Sequence, residues 1–293
     1  MLGLIRLSHP FPSLLNALAT GAIALIAGGG PATALRLGTS MLALQASIGA
    51  VNDLVDAASD AVAKPAKPIP TGAVTPSIGR VWAVAALGLG LLLAVPSGAA
   101  TVAVAALGVG LGYMYDLRLS RTALSWLPLA LALPLLPVFG WLGARGELPS
   151  TLLALFPVAV LAGAALLVAN GLVDLERDAT SGKPTIAVRI GRGRAWLLHA
   201  VAFAAAIALA LALAPVVPAA PGADAGAPVG LRLAWSVGMP LGVVAISIGA
   251  GLMAFVSPAL RERGWELEGI GTAILGLGWL AGAALEAGGG AGQ

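Results

Sequence analysis

Nine apolar runs alternate with short polar breaks along the chain. The runs cover residues 11–29, 32–56, 78–95, 99–114, 122–143, 152–173, 195–217, 233–256 and 267–285. Each is close to the roughly 20 residues that carry a helix across a bilayer, so the pattern predicts nine transmembrane helices. The breaks carry turn chemistry. Gly28-Gly29-Gly30-Pro31 ends the first run, and Pro96-Ser97-Gly98 ends the third. Residues 61–77 hold alternating Lys-Pro and Ile-Pro pairs and cannot continue a helix. Pro128, Pro134 and Pro137 predict kinks in the fifth run. The expected fold is all-α: a polytopic membrane protein whose nine helices bundle around a central cavity. One domain spans 1–293, residues 218–228 form a flexible exposed loop, and the Gly-rich end (289–293) is a disordered tail.

A few polar positions interrupt this pattern. Asn16 and Gln45 lie inside apolar runs and need partners in the bundle interior. Gln45 stands seven residues before Asn52, so both face one side of a helix. The second and sixth runs each end in acidic residues followed by a basic, Pro-containing loop. Spans one to four and five to eight therefore read as an internal duplication, a device that transporters also use.

Composition agrees with a membrane protein. The chain is 59% hydrophobic and 10% charged, with mean hydropathy +0.96. It has no cysteine, which excludes disulfides, thiolate metal sites and cysteine nucleophiles. Two histidines, His9 and His199, cannot build a histidine-rich metal site and read as interfacial. The net charge of +3 calls for no nucleic acid. Of 16 Lys and Arg residues, only Arg36, Arg145 and Arg232 fall on the side opposite the N-terminus. The positive-inside rule then predicts a cytoplasmic N-terminus, with both acidic clusters on that side. The seven tryptophans lie mostly near run ends, as belt anchors do. No cleavable leader is expected in Met1–Pro10.

The first cluster is Asn52-Asp53-Leu54-Val55-Asp56-Ala57-Ala58-Ser59-Asp60. Asp53, Asp56 and Asp60 share one helical face. Three unpaired carboxylates there would repel one another, and a divalent cation would remove the conflict. An all-oxygen set suits Mg²⁺. The second cluster, Asn170, Asp174 and Asp178, is spaced by four and predicts another single face. Cations follow each cluster: Lys64 and Lys67 after the first, Lys183 and Arg189 after the second. Two acidic helix ends with cations beside them suit a metal-bridged diphosphate.

The N-D-x-x-D-x-x-x-D run and the later D-x-x-x-D, separated by four apolar segments, resemble the UbiA superfamily of intramembrane prenyltransferases. The resemblance covers roughly Arg6 to Ala284. It implies transfer of a prenyl group from a polyprenyl diphosphate to an acceptor through an allylic carbocation, with Mg²⁺ as cofactor. Asp53, Asp56, Asp174 and Asp178 match the family's metal ligands, with Asp60 an outer member; Asn52 and Asn170 supply neutral oxygens or orient them. Lys183 and Arg189 lie in a G-K-x-T-x-A-V-R-x-G run like the family's second-motif loop. Lys67 stands where relatives often have arginine, and it lacks the bidentate fork. Arg118 and Arg121 lie in a loop that in relatives also reaches the site.

A carbocation is steadied by an aromatic face, by on the order of 1–2 kcal/mol when desolvated. Tyr115, and after it Tyr113, is placed for this, although both also suit an interfacial belt. Asp116 reads as a cap or a partner for Arg118. The stretch from Asp174 to Gly191 looks most like enzymes that prenylate aromatic quinone precursors. Chlorophyllide and glycerol-phosphate lipids are alternative acceptors for the same chemistry. A cation-coupled secondary transporter is the competing class; its sites favour the midplane, whereas both clusters here sit at run ends.

Overall fold

A computed structural model describes residues 2–217 and 229–290. The expected loop at 218–228 and the end of the expected tail, 291–293, lie outside the described residues. Among the described residues the fold is all-α, with no strand. The helices are α1 (Leu2–Leu7), α2 (Pro10–Ile26), α3 (Pro31–Ala63), α4 (Pro76–Ala94), α5 (Ala99–Met114), α6 (Leu127–Ala132), α7 (Leu135–Arg145), α8 (Leu152–Val173), α9 (Leu175–Thr180), α10 (Ile186–Ile190), α11 (Arg192–Ala212), α12 (Val229–Met253) and α13 (Pro258–Gly290).

Eight of the nine expected spans are helices long and apolar enough to cross a membrane. The first is shorter. Pro10 starts α2 and the Gly28–Pro31 break follows it, leaving a largely apolar helix of 17 residues. The fifth span is split into α6 and α7 at Leu133-Pro134, where the prolines predicted a kink. At 33 residues, α3 is about 50 Å long, well beyond the ~30 Å hydrocarbon core. Its last turns, which carry Asp53, Asp56 and Asp60, are therefore free to stand at the membrane boundary.

Glycines set how closely the helices approach. A Cβ on Gly242 would lie 2.6 Å from the Leu275 backbone, and one on Gly249 2.7 Å from the Gly264 carbonyl. Helices α12 and α13 thus meet backbone to backbone, the usual way membrane helices gain packing contact. Gly90 does the same for α3 and α4, where a Cβ would strike Leu44. One apolar core joins α2, α7, α8, α11, α12 and α13 through Trp141, Phe203, Ile246 and Trp279. A second joins α2, α3, α5 and α7 through Leu37, Leu44, Val109 and Phe139. The polar cavity lies between these two halves.

Several polar side chains inside the bundle pair across helices, as Ser40 and Ser47 do with carbonyls of α4. His199 lies wholly buried on α11 and bonds Glu268 of α13 at 2.6 Å, so its expected interfacial position is corrected. A buried imidazole satisfied by a carboxylate ties two helices together.

Candidate active site

Both acidic clusters open onto one cavity of about 390 Å³. Asn16, Gln45, Asn52, Asp56, Asp60, Asn170, Asp174 and Asp178 all line it, as do Lys64, Lys67, Lys183 and Tyr115. Two apolar pockets adjoin it. The larger, about 180 Å³, runs between α2, α8, α11 and α13. The smaller, about 70 Å³, lies between α3, α5, α6 and α7. Asn16 and Leu129 line all three spaces, so the polar cavity branches into two apolar arms.

The first cluster keeps its single helical face. Asp53, Asp56 and Asp60 are buried on α3. Their repulsion is relieved by the chain's own ammonium groups. Lys67 Nζ donates to Asp53 at 2.6 Å and to Asp60 at 2.7 Å. Burial works against its charge, but Asp53 and Asp60 outweigh that and hold the Lys67 pKa above the ordinary lysine value. His9 also reaches Asp53, with Nε2 at 2.9 Å from its carboxylate. The interfacial reading of His9 is therefore corrected. Its backbone is left-handed (φ 47°), the only positive φ outside glycine among the described residues. That conformation, which histidine tolerates better than most, turns the chain between α1 and α2 and brings the ring to Asp53.

The second cluster is not one helical face. Helix α8 ends at Val173, and Asp174 leaves the helical region (φ −92°, ψ 6°) before α9 begins. The bend aims the Asp174 carboxylate at Lys64, whose Nζ lies 2.8 Å away. Arg177 also pairs with it. Burial raises the Asp174 pKa, but Lys64 and Arg177 more than reverse this and hold it below the ordinary aspartate value. Asp178 behaves in the opposite way. Its carboxylate makes no hydrogen bond or ion pair among the described residues. Burial, and then the Asp174 charge, push its pKa up to about 6.

The cations are exchanged between clusters. Lys64 follows the first cluster and pairs with Asp174 of the second. Lys183 follows the second and reaches Asp56 of the first at 2.8 Å. Arg121 adds a 3.1 Å contact to Asp56 from the cavity edge, where it is half exposed.

Other expected site residues stand apart. Arg118 is exposed and makes no ion pair or hydrogen bond among the described residues. Arg189 is exposed too, its Nε donating to the Pro184 carbonyl at 3.0 Å. Tyr113 packs into the α3–α5 core with its hydroxyl 2.7 Å from that of Ser47. Asp116, read as a cap or Arg118 partner, is instead buried and accepts from Asn52 Nδ2 at 2.8 Å.

The donor set fits Mg²⁺ in kind, being carboxylate and amide oxygens facing one space. Among the described residues, no three acidic or histidine side chains stand close enough to hold a metal alone. Mg²⁺ commonly takes one or two carboxylates and fills its remaining sites with waters and substrate phosphates. Asp178, which has no ion-pair partner among the described residues, and Asp174 across its bend suit that sharing.

The UbiA prenyltransferase family model matches residues 14–255. The chain belongs to the UbiA prenyltransferase family. A protein of Methanopyrus kandleri named digeranylgeranylglyceryl phosphate synthase is 30% identical over 223 residues, 72% of this chain and 82% of that relative. One of Methanoregula boonei with the same name is 29% identical over 199 residues, 64% of this chain and 68% of the relative. A structure of a UbiA homologue from Archaeoglobus fulgidus, bound to GPP and Mg²⁺, aligns with a TM-score of 0.69 and 17% identity. The alignment covers 94% of this chain and 99% of that one. This UbiA protein is thus a membrane-bound prenyltransferase, and the transporter reading is set aside.

Sequence reasoning marks neither His9 nor Asp116 as a site residue, and it names Lys64 as a cation without its partner. The left-handed turn that delivers His9 has no marker beyond the His-Pro pair. Asp116 adjoins Tyr115, which was singled out. Lys64 lies within the loop read as basic, but its partner is 110 residues away.

Proposed function

We propose that this protein transfers a prenyl group from a polyprenyl diphosphate to the hydroxyl of a glycerol-phosphate lipid, with Mg²⁺. The observation that carries the acceptor is the name of the curated relatives, digeranylgeranylglyceryl phosphate synthase. They favour this alternative over the aromatic quinone precursor expected from the Asp174–Gly191 stretch. The branched cavity supports the same reading, since donor and acceptor would each bring an apolar chain. The whole chain acts as one prenyltransferase domain. The N-terminus and the polar cavity face the cytoplasm, as the distribution of Lys and Arg favours.

Asp56, Asp174 and Asp178 would hold Mg²⁺, with Asp53 and Asp60 fixing the lysine beside them. Bound Mg²⁺ supplies Lewis-acid neutralisation of the diphosphate. Lys64, Lys67 and Lys183 lie on the carboxylates now. With diphosphate in the cavity they are placed to turn to its oxygens and stabilise the charge that grows as it leaves. Asn52 and Asn170 line the same cavity and would supply neutral oxygens beside the carboxylates, and Asn16 and Gln45 mark where the apolar arms begin. The Tyr115 ring faces the cavity, where an allylic cation forms once the C–O bond breaks. The apolar arms exclude water from that cation.

The test is diphosphate release and product formation by purified protein with geranylgeranyl diphosphate and Mg²⁺. Parallel reactions contain geranylgeranylglyceryl phosphate, a hydroxybenzoate, a naphthoate or chlorophyllide. Product with the glycerol-phosphate acceptor alone supports the proposal. Product with an aromatic acceptor alone refutes it.

A further inference from the structure

We propose that Asn16 and Gln45 bind the glyceryl unit of the acceptor and hold its free hydroxyl beside the donor, an inference that rests on the glycerol-phosphate acceptor proposed above. Glycerol has three oxygens. In such a lipid one carries the phosphate, one carries the prenyl chain, and the third is the hydroxyl that reacts. A site for this unit must stand where a charged space meets an apolar one. It must also offer neutral hydrogen-bonding groups, because a cation there would compete for the diphosphate.

Helices α2 and α3 supply such groups. Pro12, Asn16, Ala19 and Ile23 follow one another by four, three and four residues, so they form one face of α2, and all four line the larger arm. Met41, Gln45, Ile48 and Asn52 repeat that spacing on α3. Asn16 opens on the polar cavity and both arms, and Gln45 on the polar cavity and the smaller arm. Among the described residues, no other amide or charged side chain lines both the polar cavity and an arm.

Both amides are available. The Asn16 side chain makes no hydrogen bond among the described residues, and neither its Oδ1 nor its Nδ2 is sealed off. Gln45 has only a weak contact within its own helix, Nε2 to Met41 Sδ at 3.8 Å, and its Oε1 is open. Other polar groups of the bundle are tied, Ser40 and Ser47 to α4 carbonyls and His199 to Glu268. Asn52 is taken by Asp116, and Asn170 lines the polar cavity alone. Hydrocarbon offers a polar group no partner, so two open amides at the fork call for a ligand. Gly108 of α5 also lines the polar cavity and the smaller arm, and a Cβ there would meet no atom within 4 Å. The junction is therefore not closed by side chains. An amide can donate to a hydroxyl oxygen and accept its hydrogen, so this pair reads an alcohol, while the phosphate of the same lipid stays with the lysines of the polar cavity.

The experiment measures binding of two lipids to the full-length protein by calorimetry, without donor. One is geranylgeranylglyceryl phosphate, and the other is its analogue with hydrogen in place of the free hydroxyl. Wild type should bind the hydroxylated lipid about tenfold more tightly, as one or two hydrogen bonds supply. The double variant Asn16→Leu, Gln45→Met nearly keeps side-chain volume and should bind the two lipids alike. Its KM for the acceptor should rise about tenfold on the same grounds, while its KM for geranylgeranyl diphosphate stays within about twofold. Neither amide bonds another helix, so the double variant should melt no lower than wild type. A double variant that keeps the hydroxyl preference would overturn the inference. One that melts well below wild type would overturn it too, by making the amides ties between helices. Wild-type protein that prenylates the glycerol-phosphate lipid but binds both lipids alike overturns this inference alone. Wild-type protein that neither binds nor prenylates that lipid overturns the acceptor reading with it.

Discussion

The two acidic clusters look alike in sequence and differ in the folded chain. The first rides on one unbroken helix, and every carboxylate in it has a cation within reach. The second straddles a break, with Asp174 paired and Asp178 open. Two motifs alike in sequence thus form two different walls. One is neutralised by lysines. The other keeps a carboxylate ready for a ligand at the cost of a raised pKa. The exchanged pairs, Lys64 with Asp174 and Lys183 with Asp56, make each wall depend on the loop of the other.

If both walls share one metal-diphosphate complex, removing either should stop the reaction. Asp56→Ala and Asp174→Ala are each expected to cut diphosphate release about 10³-fold or more, at the upper end for loss of one preorganised charged group. Detergent-solubilised protein should remain monodisperse. Activity near wild type at saturating Mg²⁺ in either variant would break the comparison at its root. Asp60→Ala should cost less, about tenfold, because Asp53 still holds Lys67.

The exchanged lysines come next. Lys183→Ala is expected to lower turnover about 10²-fold, as removal of one donor to a developing oxyanion does. Donor affinity, measured by calorimetry with a non-hydrolysable diphosphate analogue, should fall as well. A turnover loss with unchanged affinity would mean that Lys183 acts only in the transition state.

The open carboxylate makes a pH prediction. Asp178 is neutral below about pH 6 in the ligand-free protein and charged above it. A protonated carboxyl is a poor Mg²⁺ ligand. Apparent Mg²⁺ affinity should therefore weaken as pH falls from 7.5 through 6 to 5. Asp178→Asn should flatten that dependence, in a titration of activity against Mg²⁺ at each pH. Because the native pKa lies above the usual aspartate value, ionising Asp178 destabilises the fold. Asp178→Asn should thus raise the melting temperature at pH 7.5 and lose that advantage below about pH 4.

Much of this is legible in the sequence. The nine apolar runs gave the bundle, and prolines located the split between α6 and α7. Spacing placed Asp53, Asp56 and Asp60 on one face because α3 is continuous. The same reasoning failed at Asn170, Asp174 and Asp178, since periodicity assumes an unbroken helix and α8 stops at Val173. Pairings across long separations, such as His9 with Asp53 and Lys64 with Asp174, left no local signal. Whether a loop cation points inward is equally hidden, because it depends on short helices and turns that the composition does not mark.

The smallest expected effect tests that last point. Lys183 and Arg189 share one motif run, yet only Lys183 lines the cavity. The five-residue helix α10 begins at Ile186 and carries Arg189 to the outside, where it caps the Pro184 carbonyl. Arg118 is likewise exposed, within the π-turn Tyr115–Leu119 whose first residues, Tyr115 and Asp116, line the cavity. An exposed guanidinium is screened by solvent and salt, so its contribution to a distant phosphate is small. Arg189→Ala and Arg118→Ala should each change turnover less than about threefold, in the range of an exposed ion pair, against about 100-fold for Lys183→Ala. A loss in Arg189→Ala as deep as that in Lys183→Ala would mean that residues 182–191 reorganise around the donor. The second wall would then be the one assembled by substrate, which sharpens its contrast with the prebuilt first wall.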